Sequence, residues 1–387
     1  MPNHGVFISE AATSVSTPNV ANSGIPFVVG RAPLDGDNAV EAGIPVLCTS
    51  WAEYVDKLGD NSDWAKYTLC EFAYSHFKLF GCQPVIFLPI APAEGQQDIT
   101  AAQVAAGFES VELCLTMFGI VPDLLVAPGF SDTAAVAAAM AVKAEGINGM
   151  FKAKALVDIS GSAYTDAISA KNSGTFTAEQ IVCWPFGKID TMKFHMSTLV
   201  AGRMAQKDTD NGGMPYESPS NKAVKISGIC KADGTEVNIS LAQANLLNAA
   251  GIVTSINFMG GYVIWGNYTG CYPASADVKD YFIPVSRMFG WVGNSLIKTF
   301  WAKQDKPMNR RLIDSILDSA NIWLNGLVGM GYLLGARVEM LEEENPLTNL
   351  MAGQIKLHVY MTPPSPAQEI DFVLEYDADY VTSALQS

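Results

Sequence analysis

The sequence predicts an α/β multidomain protein: an open α/β layer with a parallel portion, then a unit of long helices and antiparallel strands, with an extended arm at each end. Three observations lead there. Between Ile25 and about residue 206, short apolar runs alternate with helical periods, the order that parallel strands joined by crossover helices require. From about residue 252 that order gives way to a hairpin, two long helices and antiparallel runs. Both ends of the chain carry strand-forming residues in segments too short or too polar to make a core.

Residues 1–24 read as an arm, with the β-formers Val6, Phe7 and Ile8 ahead of a small, polar stretch without helical period. IPFVVG (25–30) and PVLCTS (45–50) read as strands. Ser50 with Glu53 three residues on opens a helix that stops at Gly59. Residues 63–80 form a longer, aromatic-studded helix ended by Gly81. PVIFLPI (84–90) is an apolar strand, and 100–118 a helix with Val104, Phe108, Val111, Leu115 and Phe118 near one face. A strand at 121–129, an alanine-rich helix at 131–146, a strand at 151–160, a short helix at 164–172, a strand at 179–185 and a helix at 191–206 complete the series.

Residues 208–221 are rich in Gly, Pro, Asn and Ser and read as a loop. A strand at 225–229 follows, and Ser240 with Gln243 caps a helix ending at Gly251. Residues 252–270 make a hairpin turning at Met259-Gly260-Gly261-Tyr262. Two helices (280–303 and 308–327), a strand (331–340) and an acidic loop (342–346) lead to the C-terminal strands. The change of pattern near 252–258 divides the chain into 1–24, 25–258, 259–366 and 367–387.

The end of the chain organises the functional reading. GQIKLHVYM (353–361) alternates, with Ile355, Leu357, Val359 and Met361 on one face. Three prolines within TPPSPAQ (362–368) stop the ladder. EIDFVLEYD (369–377) alternates again, placing Ile370, Phe372, Leu374 and Tyr376 on one face and mostly acids on the other. The last ten residues are too few for a core. Such an end either frays or lends its backbone to another subunit's sheet edge, and the second option is the reading adopted.

Composition narrows the function. Hydrophobic residues make up 49% and charged residues 16%, a globular balance. A net charge of −15 excludes a nucleic-acid binder and a ligand of anionic membranes. The seven cysteines form neither CxxC nor a Cys/His cluster and read as reduced core thiols. The N-terminus has no basic start or apolar core of a signal peptide, and no window reaches about 18 uninterrupted apolar residues; synthesis in a cytoplasm is expected.

Catalytic chemistry is sparse. The four histidines, His4, His76, His195 and His358, have no metal-ligand spacing and read as surface or satisfied residues. HExxH, GxSxG and P-loop motifs are missing, and GMGYLLG (329–335) lacks the third glycine of a dinucleotide loop. The acids Asp208, Asp210, Glu342, Glu343 and Glu344 read as solvated loop residues, and no cofactor or metal is expected. One local excess of positive charge exists: Lys298, Lys303, Lys306, Arg310 and Arg311 within fourteen residues. It is either an ordinary helix end complementing its dipole or a contact for an acidic partner.

Four strings carry a family resemblance: HGVFISE (4–10) with IPFVVGRAP (25–33), GGYVIWGNYT (260–269), DKPMNRRLIDSILDSANIWLNGLVGMGYLLGARV (305–338) and NPLTNLMAGQIKLHVYMTPPSPAQEIDFVLEYD (345–377). In this order the chain resembles the tail sheath proteins of contractile phage tails and R-type tailocins. The resemblance implies a structural protein without catalysis. Its subunits would form stacked six-membered rings around an inner tail tube and shorten to drive that tube through a bacterial envelope. It implies an inner domain made of arms plus the C-terminal third, an inserted outer α/β domain, and arms that add strands to a neighbour's sheet. The pairing residues are then Val6, Phe7, Ile8, Ile370, Phe372, Leu374 and Tyr376, and the basic patch faces the tube. Tube, baseplate and terminator proteins are the implied partners, and the tail of a virion or tail-like particle the implied location. An α/β enzyme with an antiparallel accessory domain, or another self-assembling tube or shell protein, is the alternative.

Overall fold

The computed structural model describes residues 17–385. In chain order the strands are β1 (Pro26–Gly30), β2 (Val46–Cys48), β3 (Val85–Pro89), β4 (Leu124–Val126), β5 (Lys154–Asp158), β6 (Gln180–Cys183), β7 (Phe186–Ile189), β8 (Met192–Phe194), β9 (Gly228–Cys230), β10 (Glu236–Val237), β11 (Ile252–Asn257), β12 (Tyr262–Trp265), β13 (Gly335–Glu339) and β14 (His358–Thr362).

Eight of them form one sheet in the order β12-β11-β6-β5-β4-β1-β3-β2. The central strands β11 through β3 run parallel, with β12 and β2 antiparallel at the edges. The reason is in the sequence: PFVVG and VIFLP are buried at every position, as strands between two helix layers must be. Phe27, Val29, Ile86 and Leu88 point to the layer containing Val104, Phe108 and Met140. Val28, Phe87, Leu124 and Val126 point to the opposite layer, with Tyr54, Phe72 and the helix Met196–Asp210.

The expected helices are present with local departures. Ser50 accepts from the Glu53 N–H, but Glu53 reaches back to Thr49 rather than to Ser50. The 63–80 helix starts only at Thr68 and loosens into a π-helical turn, Tyr74–Phe80, closed by Gly81 at φ 69°. Thr100 forms a complete capping box with Gln103, and the helix it opens passes through a 3-10 stretch, Phe108–Leu113.

The helix expected from residue 191 begins at Met196. Residues 186–194 instead form the β7–β8 hairpin of a second sheet, ordered β10-β9-β7-β8. Its turn is at Asp190, φ 52°, where the short polar side chain tolerates a left-handed backbone. The 258/259 division falls within the β11–β12 turn, so the large sheet continues past it to Trp265.

The third unit pairs the helices Ile283–Phe300 and Arg310–Gly329 with a two-stranded sheet, β13 antiparallel to β14. Met288, Trp291, Leu324, Leu327 and Leu333 fill its core, and Leu357, Val359 and Met361 pack against it, the face read from their alternation. Asn321 ties helix to sheet: its amide donates to the Val338 carbonyl (3.0 Å) and accepts the Val338 N–H (2.9 Å).

Candidate functional site

The C-terminal extension keeps contact with the body through buried Pro363 and through Gln368, whose amide oxygen accepts from the Tyr268 hydroxyl (2.7 Å), and is bare from Glu369 on. Residues 369–377, expected as a strand, make no ladder among the described residues. Ile370 is 71% exposed, Phe372 82%, Leu374 93% and Tyr376 81%. The physical reason is the proline run, which breaks the pairing of β14 and carries the chain away from its own sheet. Val373, on the opposite face, is equally bare at 86%. The last residues are not a loose tail: Ala378–Leu385 is a helix. Val6, Phe7, Ile8 and His4 lie outside the described residues.

The described part of the N-terminal arm is seated on its own chain. The Asn19 N–H donates to Thr299 Oγ1 (2.9 Å), the Ala21 N–H to Ser295 Oγ (2.9 Å), and Trp291 Nε1 to the Ala21 carbonyl (3.0 Å). Trp291, Ser295 and Thr299 recur every four residues, so one helix stripe holds the segment. Lys298 Nζ donates to the Val20 carbonyl at 3.3 Å. Lys298 of the basic patch is thus engaged with the arm. Lys306 and Arg311 are exposed, Lys303 is half-buried, and Arg310 pairs with Asp314 one turn on.

Behind the arm lies a buried charge cluster that sequence reading missed. Arg287 donates to Asp208 Oδ1 (2.9 Å) and Oδ2, and to Asp123 Oδ2 (2.8 Å). Asp208, read as a solvated loop acid, is 1% exposed near the end of a helix. Burial pushes its carboxyl up to about 6, against the pull of Arg287. The signal available in sequence was Arg287 itself, alone among the apolar residues of IPVSRMFGWV, where a buried cation must have partners.

At the carboxyl ends of β4, β5 and β6 a cleft of about 440 Å³ is lined by Gly129, Ser131, Asp158, Trp184, Phe186 and His195. An α/β enzyme would hold its substrate there. Yet the Ser131 and Ser197 hydroxyls both face Asp158, and among the described residues neither bonds His195. His195 Nδ1 is 2.7 Å from Glu71 Oε2. Burial opposes the charged ring, but Glu71 and Asp158 outweigh it and hold its pKa up to about 9. A protonated imidazole facing no hydroxyl is not the base of a nucleophilic pair. Among the described residues no group of His, Cys, Asp and Glu is arranged to hold a metal ion, and no helix is long and apolar enough to cross a membrane.

The model of the phage tail sheath protein central domain matches residues 97–269. A putative prophage major tail sheath protein of Pseudomonas aeruginosa is 25% identical over 400 residues, covering 99% of this chain and 98% of that protein. The fold resembles the sheath complex of the extracellular contractile injection system PVC in its contracted state, with TM-score 0.72 at 19% identity over 98% of this chain and 99% of that one. Over nearly its full length the chain is similar to tail sheath proteins, and residues 97–269 carry their central domain. The tail sheath protein of Burkholderia phage BcepMu is 25% identical over 299 residues, 73% of this chain and 61% of that protein. The contracted helical sheath of the anti-feeding prophage has the same fold, with TM-score 0.72 at 21% identity over 97% of this chain and all of its counterpart (100%). The matched central domain runs from the helix opened by Thr100 to just past β12; the long helices, β13–β14 and both arms lie outside it.

Proposed function

We propose that the chain is the structural subunit of a contractile tail sheath. It assembles into stacked six-membered rings around an inner tail tube and shortens to drive the tube through a bacterial envelope. The observation that carries this reading is the stretch 369–377: Ile370, Phe372, Leu374 and Tyr376 are bare to solvent, beyond a sheet that has two strands among the described residues. Covering each such side chain contributes roughly 1.5–3 kcal/mol, and each strand hydrogen bond to a neighbour about 0.5–1.5 kcal/mol. Those contacts hold adjacent copies together while weaker side-chain interfaces exchange. Val6, Phe7 and Ile8 pair in the same way from the other end.

In this arrangement 259–366 with the arms is the inner unit and 25–258 the outer one. Lys298, Lys303, Lys306, Arg310 and Arg311 face the tube. Tube, baseplate and terminator proteins are the partners, and the tail of a phage or tail-like particle, assembled in a bacterial cytoplasm, is the location. The relatives' names and the baseplate and sheath assemblies among the fold matches support this. Negative-stain microscopy of the full chain, beside a variant lacking residues 1–20 and 369–387, tests it. Sleeves from the first and monomers from the second are expected. Discrete small oligomers from both would overturn the reading.

A further inference from the structure

The root of the N-terminal arm is tied to both residues that hold Arg287, to Asp123 through its carboxylate and to Asp208 through its backbone carbonyl by way of Gly213. Asp123 stands just before β4, Asp208 near the end of the helix Met196–Asp210, and Arg287 in the second turn of the helix Ile283–Phe300. Asp123 gives one oxygen to the guanidinium and the other, Oδ1, to the Ile25 N–H at 2.8 Å. A carboxylate bound on both oxygens is fixed in direction as well as position. Ser23 donates to the Gly213 carbonyl (2.8 Å), and the Gly213 N–H in turn donates to the Asp208 carbonyl (2.7 Å). Between them Gly24 (φ +70°) lies so close to the helix that a Cβ there would sit 2.9 Å from the Ala205 Cα. Four distant parts of the chain therefore meet at one point: arm root, large sheet, the helix ending at Asp210, and long helix.

We propose that Arg287 is a positioning residue that anchors the N-terminal arm. It fixes Asp123 and Asp208, these fix Ser23–Ile25, and tension applied to the arm by a neighbouring copy enters the large sheet and the long helix together. The proposal rests on the arm-exchange reading above. Its logic is mechanical. The outer contacts of the arm, at Asn19, Val20 and Ala21, are separate hydrogen bonds to Thr299, Lys298, Ser295 and Trp291, all on one helix, and yield one after another. At Ile25 a pull from the arm's free end reaches a carboxylate, Asp123, that is itself locked by Arg287 to Asp208.

Two full-length variants test this. R287M/D208N removes the fork together with one of its charges, so that less charge is left buried alone. G24A presses the root off the helix and touches no charge. Amide hydrogen exchange in the dissociated subunit, thermal melting, and shear of assembled sleeves followed by microscopy are measured. Both variants are expected to melt cooperatively and to keep wild-type exchange in β5. Exchange at the Ile25 amide should rise roughly 10- to 100-fold, and sleeves should break into shorter pieces than those of wild type. R287K, which keeps the charge but not the fork, should fall between. Wild-type sleeves with Ile25 exchange unchanged in both variants would overturn this proposal and leave the sheath reading standing. A wild-type chain that forms no sleeves would overturn both.

Discussion

Consider the His195–Glu71 pair as pH rises. The His195 side chain is 16% exposed and that of Glu71 2%. Glu71 receives the His195 backbone N–H at 2.6 Å as well as the ring. The folded ring titrates at about 9, against about 6.5 in an unfolded chain. A pKa raised by folding contributes stability that is complete below about pH 6.5 and is lost as pH climbs through 9. The full difference is about 3 kcal/mol, of which about 2 kcal/mol falls between pH 6.5 and 8.5. His76 has the opposite sign. Both its ring nitrogens are buried without a hydrogen-bond partner among the described residues, and burial pushes its pKa down to about 3. Its neutral form stabilises the fold above about pH 6.5, and that contribution is lost as pH falls, by up to about 1.4 kcal/mol per unit. In urea unfolding of the dissociated subunit, stability should therefore fall from about pH 6.5 to 8.5, while the acid limb below about 6.5 stays shallow because Asp208, pushed up to about 6, opposes His76 there. H195N should flatten the alkaline limb and leave the acid limb intact. Cys48, Cys82 and Cys114, pushed up to about 12 by burial, steepen the decline only at the alkaline extreme. An H195N chain that keeps the wild-type slope between about pH 6.5 and 8.5 would refute the assignment.

Three further perturbations follow from the packing. Gly202→Ala would place a Cβ 2.3 Å from the Phe80 ring, so the urea midpoint should drop by an amount equivalent to about 1–3 kcal/mol; trimming the ring with F80L in the same chain should recover part of it. Asn321→Ala removes both bonds to Val338, at about 1–3 kcal/mol, and hydrogen exchange at Val338 should accelerate ahead of the large sheet. Phe372→Glu with Leu374→Glu alters only side chains that are bare in the subunit, so unfolding should stay within about 0.5 kcal/mol of wild type while sleeves fail to form in micrographs.

Much of the fold is legible because burial on two faces leaves a plain mark. The runs around β1, β3, β4, β5 and β6 are apolar at successive positions, and the long helices show their stripe. The β7–β8 hairpin was hidden because its turn residue is Asp190 rather than glycine, and because its lysines alternate with apolar residues too briefly to beat the helical period that follows. The charged clusters were illegible for another reason. Arg287 lies 164 positions from Asp123 and 79 from Asp208, and Glu71 lies 124 from His195, so no local spacing announces them. Residues 369–377 are the reverse case. Their alternation is plain in sequence, yet the described residues hold no strand partner for it.

The proline run between β14 and that segment has a kinetic meaning. Pro363, Pro364 and Pro366 offer no N–H and hold the backbone near an extended polyproline path, about 3.1 Å per residue. Folding the segment back onto the free edge of β14 would require a tight reversal through the stretch least able to make one. A subunit that closed such a loop would satisfy its own edge and be inert toward other copies. On the arm-exchange reading, the stiff spacer disfavours that route and leaves the exposed face of 369–377 available to an edge on another copy.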